Sequence, residues 1–369
     1  MTWLAGAALL AWLYLILGHG KFWQAGPILE PASPRANPSV AAIVPARDEA
    51  ELVGPCLASL LAQDYPALRV VLVDDGSSDG TGEIARSLGN NRLAVVNGVS
   101  RPAGWAGKLW AVQQGVAATD SEWLFLTDAD ILHDRRHLAA LMAQAERSGA
   151  DMVSEMVQLN CKSLAECSLV PAFVYFFQML FPFARVNDPE NPVAAAAGGS
   201  VLIRRSALDR ADGIEAIRGA LIDDVALAAA IKVGGSIWLG HSSLARSVRS
   251  YPRFADIWRM VARSAYVQLR FSPLLLLGTV AGLSVLFVVP PLAVAFGRDS
   301  APWLGIAAWL MMGASLVPTL RRFTMPLYWA MLLPAIAGFY VAATLGSALD
   351  HHRGRGVVWK QRSYMERRT

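Results

Sequence analysis

The chain has 369 residues, of which 54% are hydrophobic and 17% charged, with a formal net charge of +4. A mean hydropathy of +0.37 is too apolar for a wholly soluble enzyme, and the middle of the chain is too charged for a wholly embedded one. The modest positive charge argues against nucleic-acid binding, because the basic residues sit beside apolar segments rather than on one basic face.

Residues 2–17, TWLAGAALLAWLYLIL, carry no charge. No basic segment precedes them, and they run into His19, Lys21, Phe22 and Trp23 without a small-residue cleavage site. An uncleaved transmembrane anchor over 1–20 is therefore expected rather than a signal peptide. From 38 to 250 the composition is of soluble type, as for a catalytic domain. VAAIVPARDEA at 40–50 reads as a strand and a loop, with a helix following through Leu60. LRVVLVDDGSSDGTGEIAR at 68–86 repeats the pattern, with a strand ending in Asp74 and Asp75, a turn, and a helix from Thr81. RLAVVNG at 92–98 and SEWLFLTDAD at 121–130 read as two more strands. Strands alternating with helices predict an α/β domain with a mostly parallel sheet covered on both faces.

Ligands of an open α/β sheet bind beyond the C-terminal ends of its strands. Three of those ends carry Asp48, Asp74, Asp75, Asp128 and Asp130. Singly, each could be a turn, since Asp favours turns; together they predict one site. A carboxylate such as Asp75 cannot bind phosphate, but it can accept hydrogen bonds from a base N–H or from ribose hydroxyls. Asp128 and Asp130 can share a hard cation, and without one they would repel a diphosphate. Lys108, in GWAGKLWAVQQG just ahead of a helix, supplies a charge for phosphate. These parts fit a metal-bound nucleoside diphosphate. The chain has no G-x-x-x-x-G-K-[ST] loop and no G-x-G-x-x-G after its first strand, which excludes an ordinary P-loop kinase and argues against a dinucleotide enzyme.

Residues 251–272 interleave Arg253, Arg259, Arg263 and Arg270 with Phe254, Trp258 and Tyr266, the composition of an amphipathic helix in the membrane interface. PAFVYFFQMLFPFAR at 171–185 is too short to span and reads equally as interfacial or buried. Three stretches within 274–348, namely 274–297, 301–320 and 325–348, are each long enough to cross a bilayer. Pro290, Pro291, Pro318 and Pro334 are the expected kinks. A basic tail covers 349–369. Lys21, Arg35 and Arg47 follow the first helix and predict a cytoplasmic catalytic domain. Three further spans would then leave Arg353, Arg355, Lys360 and Arg362 outside, so either the rule fails here or one segment, 325–348 with its Pro334, is re-entrant. Cys56, Cys161 and Cys167 show neither metal-ligand spacing nor a disulfide framework and read as reduced core residues.

VPARDEA, VDDGSSDGT, GKLWAVQQG, TDAD, AGGSVLIRRSAL and LIDDVALAAAIKVGG occur in the order seen in family 2 glycosyltransferases, and the chain resembles that family over roughly residues 40–270. Its anchor, its three C-terminal spans and its WAGKLWA and VVWKQRSYM segments resemble the membrane-bound branch found with hopanoid biosynthesis. The resemblance implies a GT-A-type, Rossmann-like nucleotide-sugar-binding fold. It implies that Asp48 and Asp75 contact the nucleoside, with Asp75 facing uracil and Asp74 beside it. It also implies that Lys108 approaches the diphosphate, and that Asp128 and Asp130 form the D-x-D motif that places Mg2+ or Mn2+. In LIDD at 221–224, Asp224 takes the place of the general base, with Asp223 next to it; a helix cap is the alternative. Gly198 and Gly199 should line the sugar and acceptor side, where glycine lets the backbone come close. One base and no enzyme nucleophile imply inversion.

One motif departs from the family. The Gln-x-x-Arg-Trp of processive members is here Met260-Val261-Ala262-Arg263-Ser264. Arg263 retains either a diphosphate contact or an interfacial role, and the missing Gln and Trp argue against polymer synthesis. The expectation is an inner-membrane enzyme that moves one sugar from a nucleotide-sugar, UDP-linked, to a lipid acceptor such as a hopanoid. The rivals are a polyprenyl-phosphate glycosyltransferase, a polysaccharide synthase and a non-catalytic nucleotide-sugar-binding membrane protein.

Overall fold

In the computed structural model, which describes residues 1–354 and the backbone at 358–359 and 362–363, the charge-free N-terminal run forms helix α1 (Thr2–Gly18). The next region alternates as expected. It comprises β1 (Val40–Ala46), α2 (Ala50–Leu61), β2 (Leu68–Asp74), α3 (Thr81–Ser87), β3 (Leu93–Asn97), α4 (Gly107–Ala117), β4 (Trp123–Thr127), β5 (Ile131–His133), α5 (His137–Ser148) and β6 (Met152–Gln158). Helices α6 (Leu164–Leu180) and α7 (Phe183–Val186) interrupt the series before β7 (Ser200–Arg204), α8 (Arg205–Arg210), α9 (Asp223–Lys232) and β8 (Ile237–Ser247). Then come α10 (Phe254–Gln268), α11 (Pro273–Leu283), a π-helical turn over Ser284–Val288, α12 (Val289–Phe296), α13 (Ala301–Arg322) and α14 (Leu333–His352). The chain divides into two units. Pro27–Asn160 and Arg185–Arg249 carry the sheet, whereas Met1–Gly26, Cys161–Ala184 and the chain from Ser250 to His352 are helical.

The strand order is β3-β2-β1-β4-β7-β6-β8-β5. Strands β1 to β4 pair in parallel, as do β6 and β8. β7 is antiparallel to both neighbours, and β5 is antiparallel to β8. VAAIVPA and WLFLT are buried at every position, so their apolar runs show no alternation, as in strands covered on both faces. The parallel strands bring Ala46, Asp74 and Thr127 to one edge. Because β7 runs the other way, its first residue Ser200 lies opposite Thr127. The start of β7, with Gly198 and Gly199, therefore reaches the same edge. The chain reverses direction of travel across the sheet between β1 and β4, which is where an open α/β sheet forms its crevice. Pairing of β1 with β4 ends at Ile43 and Leu126. Pro45, which has no N–H to give a ladder, follows where the two strands part.

Among the described residues, the helical unit contains three helices long and apolar enough to cross a membrane, Pro273–Phe296, Ala301–Arg322 and Leu327–His352. The first continues through Pro290 and Pro291, which follow the π turn. The Leu286 carbonyl in that turn accepts the Trp12 indole N–H at 2.9 Å. The third is a 3-10 turn over Leu327–Leu332 and then α14, with Pro334 in the first turn of the α part, where a proline is tolerated. The ambiguous 171–185 stretch lies in α6 and α7. Tyr175 there is buried and meets Ser315 Oγ at 2.7 Å, so that side chain packs inside the helical unit. α10 buries Ile257 and Val261, four residues apart, and exposes Arg259 and Arg263, the stripe of an amphipathic helix. Cys56 is buried, while Cys161 and Cys167 are half-buried free thiols. Arg355 and Lys360 of the basic tail lie outside the described residues, as does most of VVWKQRSYM.

Candidate active site

The site is built from strand ends. β1 ends in Arg47 and Asp48. Asp48 has φ +49°, a left-handed backbone that Asp tolerates better than most residues. Its Oδ1 accepts the Ser78 backbone N–H at 2.8 Å, and its own N–H donates to Ser77 Oγ at 3.0 Å. These two bonds tie the β1 end to the loop after β2. Asp75 is buried and lies 3.7 Å from Arg47 Nη1. Asp74 Oδ1 accepts the Ser77 N–H at 2.9 Å and so shapes the turn. Asp79 accepts the Ala50 and Thr81 N–H groups at 2.9 and 3.0 Å, capping α2 and α3 from one loop.

Lys108 lies in the first turn of α4. Its Nζ stands 2.9 Å from Asp128 Oδ1 and 3.0 Å from Asp223 Oδ2. Burial works against the ammonium charge, but the two carboxylates outweigh it and hold the Lys108 pKa well above the ordinary lysine value. Burial pushes the Asp128 carboxyl above its ordinary value; Lys108 pulls the other way, and Asp130 adds to the push. Lys108 is thus no unpartnered cation awaiting phosphate, because it already bridges two carboxylates.

Asp130 has a different partner. Its Oδ2 takes Arg249 Nε at 2.7 Å and Ser247 Oγ at 3.3 Å, and Arg249 Nη2 reaches Glu49 Oε1 at 2.7 Å. Asp224 begins α9 beside Asp223. Its Oδ2 accepts the Gly198 N–H at 2.9 Å, and its Oδ1 accepts the Val225 N–H at 2.8 Å. Burial, reinforced by Asp223, pushes the Asp224 carboxyl up to about 6, against Lys108 and the two N–H groups. Gly198 packs closely here: an added Cβ would lie 3.3 Å from Asp224 Oδ2, so that carboxylate would have to shift by a few tenths of an ångström. At Gly199 a Cβ would make only ordinary contact with Val157. The Gly199 carbonyl accepts the Thr127 hydroxyl at 2.8 Å, joining the β4 end to the start of β7.

Lys108, Asp128, Gly198, Asp223 and Asp224 therefore line one cleft, with Pro45 and Leu126 in its apolar wall. Asp48, Asp74 and Asp75 form a second cluster at the β1 and β2 ends. Arg263 belongs to the helical unit and is exposed on α10. Sequence reasoning missed Arg249, which no local motif marks, and gave no site role to Arg47 and Glu49, although both lie within VPARDEA. It also missed a buried chain of hydrogen bonds behind the cleft. Thr127 Oγ1 lies 3.3 Å from His133 Nε2, His133 Nδ1 lies 3.0 Å from His137 Nδ1, and His137 Nε2 bonds Glu155 Oε1. The His-x-x-x-His spacing at 133 and 137 was the available signal.

A divalent cation would find hard oxygen donors here. Asp128 and Asp130 each use one carboxylate oxygen for a cationic partner. No group of three or more His, Cys, Asp or Glu side chains among the described residues could hold a metal. Two carboxylates completed by substrate phosphates is the usual way Mg2+ is held, so the residues fit a cation that arrives with a diphosphate.

This architecture is a GT-A-like α/β fold. Residues 41–211 match the sequence model of the family described as Glycosyl transferase family 2. The mannosyltransferase PcManGT from Pyrobaculum calidifontis, solved in complex with GDP-Man and Mn2+, shares the fold with a TM-score of 0.58. That likeness covers 94% of this chain and 99% of that one at 22% identity. Glycosyltransferase GlyG of Streptococcus pneumoniae is 27% identical over 116 residues, 31% of this chain and 37% of that protein. The 4,4'-diaponeurosporenoate glycosyltransferase of Staphylococcus aureus is 35% identical over 98 residues, 27% of this chain and 25% of that protein. The chain thus spans well under half the length of these curated relatives.

Proposed function

We propose that this protein is a membrane-bound, metal-dependent, inverting glycosyltransferase that moves one sugar from a UDP-sugar to a lipid acceptor of the hopanoid class. The observation that carries the proposal is the Asp224 carboxylate, held by two backbone N–H groups in the cleft and pushed up to about 6. A carboxylate tuned toward neutrality is a better general base than an ordinary one and is still ionised at pH 7. In the proposed reaction the acceptor hydroxyl attacks the anomeric carbon. Its proton passes to Asp224 as the bond from that carbon to the diphosphate oxygen breaks on the opposite face. A single displacement inverts the anomeric centre.

The other residues divide the work. Asp48 and Asp75 accept hydrogen bonds from the nucleoside, and Asp74 shapes the turn that presents them. Lys108 faces the leaving diphosphate, with Asp223 holding its ammonium. Asp128 and Asp130 would hold the Mg2+ or Mn2+, which supplies Lewis-acid stabilisation of the leaving group. Charge supports this requirement. Lys108 pairs with Asp128 and Asp223, Arg249 pairs with Glu49 and Asp130, and Asp224 adds a fifth carboxylate. A diphosphate approaching that excess of carboxylates needs a cation with it. The Pyrobaculum structure holds GDP-Man together with Mn2+, and the S. aureus relative is named for transfer to 4,4'-diaponeurosporenoate. The first supports a cation bound with the donor, and the second an apolar acceptor.

The three apolar helices and the α10 arginines support a membrane location. Lys21, Arg35 and Arg47 support a catalytic unit on the cytoplasmic side of the inner membrane. The test is full-length protein in detergent with labelled UDP-sugars, offered a hopanoid alcohol or a polyprenyl phosphate. A lipid carrying one sugar is expected from the hopanoid. A polymer would establish a synthase, transfer to polyprenyl phosphate alone would replace the acceptor, and no turnover of any donor would leave a binding protein.

A further inference from the structure

We infer that Arg249 is a charge placeholder for the divalent cation: it neutralises Asp130 and Glu49 in the cation-free protein, and a cation entering at Asp130 displaces it. The inference rests on the metal-dependent function proposed above.

The geometry makes Arg249 the movable member of its group. Arg249 Nε lies 2.7 Å from Asp130 Oδ2, and Nη2 lies 2.7 Å from Glu49 Oε1. Both carboxylate side chains are 11% exposed, while the Arg249 side chain is 32% exposed. Buried carboxylates need a partner when ionised, and the guanidinium serves two at once. The carboxylates are fixed from the backbone side. Ile131 pairs with Ser247 across β5 and β8, and the Asp130 carbonyl accepts the Val248 N–H at 2.9 Å. The Glu49 N–H is held by Thr81 Oγ1 at 2.9 Å. Arg249 follows immediately after this last ladder contact, with a long side chain and a route to solvent.

A cation and the guanidinium compete for the same carboxylate. Arginine cannot relieve the conflict by losing its proton, so a doubly charged ion on Asp130 repels it outward. No third His, Cys, Asp or Glu ligand accompanies Asp128 and Asp130 among the described residues; the immediate partner of Asp130 is this guanidinium. The protein thereby avoids an unneutralised acidic pocket before the donor and its cation arrive.

The test measures cation binding, not turnover. Full-length protein in detergent, without donor, is titrated with Mn2+, and free Mn2+ is read by electron paramagnetic resonance. Arg249→Gln should bind Mn2+ on the order of tenfold more tightly than wild type, the scale of one lost charge-assisted hydrogen bond. Arg249→Lys, which keeps the charge but cannot make both contacts, should fall between them. Asp130→Asn should bind most weakly. Mn2+ should also raise the melting temperature of Arg249→Gln more than that of wild type. Arg249→Gln and Arg249→Lys binding no more tightly than wild type overturns the inference and leaves the metal-dependent function standing. Wild-type binding by Asp130→Asn also overturns it, because the cation is then elsewhere. No Mn2+ on any variant, with or without UDP, overturns both.

Discussion

Lys108 Nζ stands 3.0 Å from Asp223 Oδ2 while also touching Asp128 Oδ1 at 2.9 Å. One ammonium thus joins the end of β4 to the start of α9, and the proposed metal side of the cleft to the proposed base. Lys108→Gln should lower kcat/KM about tenfold to a hundredfold, the range of a hydrogen bond to a charged group. It should also move the acidic limb of the rate profile. Lys108 favours the ionised form of Asp224, so its removal should shift that limb to higher pH. A tenfold loss with an unmoved limb would mean that Lys108 serves the donor alone.

Chelation tests the Asp128 and Asp130 assignment. Transfer by purified protein should stop in excess chelator and return with Mg2+ or Mn2+. Asp130→Asn should not recover at any cation level that restores wild type. Full activity in chelator would remove the metal from the mechanism.

The buried chain behind the cleft gives a stability prediction. His137 and Glu155 are fully buried and bonded to each other. His133 is held well below the ordinary histidine pKa by burial and by its neighbour His137, so it is neutral at pH 7. His137→Phe removes the partner of a buried carboxyl, a change that costs about 3–5 kcal/mol when the group is charged. Thermal or chemical denaturation should show this loss, and Glu155→Gln, which keeps a hydrogen bond to His137, should cost much less. Equal costs for both variants would show that charge pairing is not what matters at this position.

Orientation is tested from outside the cell. Asp120 is exposed on the sheet unit. An Asp120→Cys protein in intact cells should resist an impermeant maleimide and react once the membrane is opened. Ready labelling of intact cells would reverse the topology.

How much of this the sequence carried follows from how local each feature is. The long apolar helices were legible because an apolar run is a contiguous property, and the predicted 301–320 became the helix Ala301–Arg322. The ends of β1, β2 and β4 were legible for the same reason: each motif holds both its strand and its turn. Pro334 sits where a 3-10 turn gives way to α14, a junction that its residue type alone does not locate. Contacts between distant segments were not legible. Asp130 and Arg249 are 119 residues apart, and Gly198 and Asp224 are 26 apart. Both pairings depend on strand order and on the antiparallel entry of β7, which no periodicity announces. Asp74 holds its turn by accepting the Ser77 N–H, a duty that a motif does not distinguish from a ligand contact.

The base assignment rests on Asp224, where cap and catalyst coincide in one side chain. Each carboxylate oxygen holds a backbone N–H, from Gly198 and from Val225. Asp224→Asn keeps the shape but turns one acceptor into a donor, so one of those N–H groups loses its partner. That should destabilise the protein by about 1–3 kcal/mol and lower transfer by about 10²- to 10⁴-fold, the range of a positioned general base. The two effects separate in the measurements. If the loss is catalytic, kcat falls without a rise in donor KM, and UDP still binds, whereas Asp75→Ala should weaken UDP binding. The pH dependence gives the sign. Asp224 must be ionised to act, so wild-type kcat should fall as pH drops through about 6, and the residual activity of Asp224→Asn should lack that limb. Stability runs the other way. A folded-state value raised from 3.8 to about 6 means that folding favours the protonated form. Its contribution is full below 3.8 and is lost as pH rises through about 6. Asp223→Asn should release Lys108 from one partner and lower activity less. If Asp223→Asn is dead while Asp224→Asn transfers sugar at the wild-type rate, the base is Asp223. If both transfer normally, the pair serves only the helix and the ion-pair chain, and the displacement mechanism has no base in this cleft.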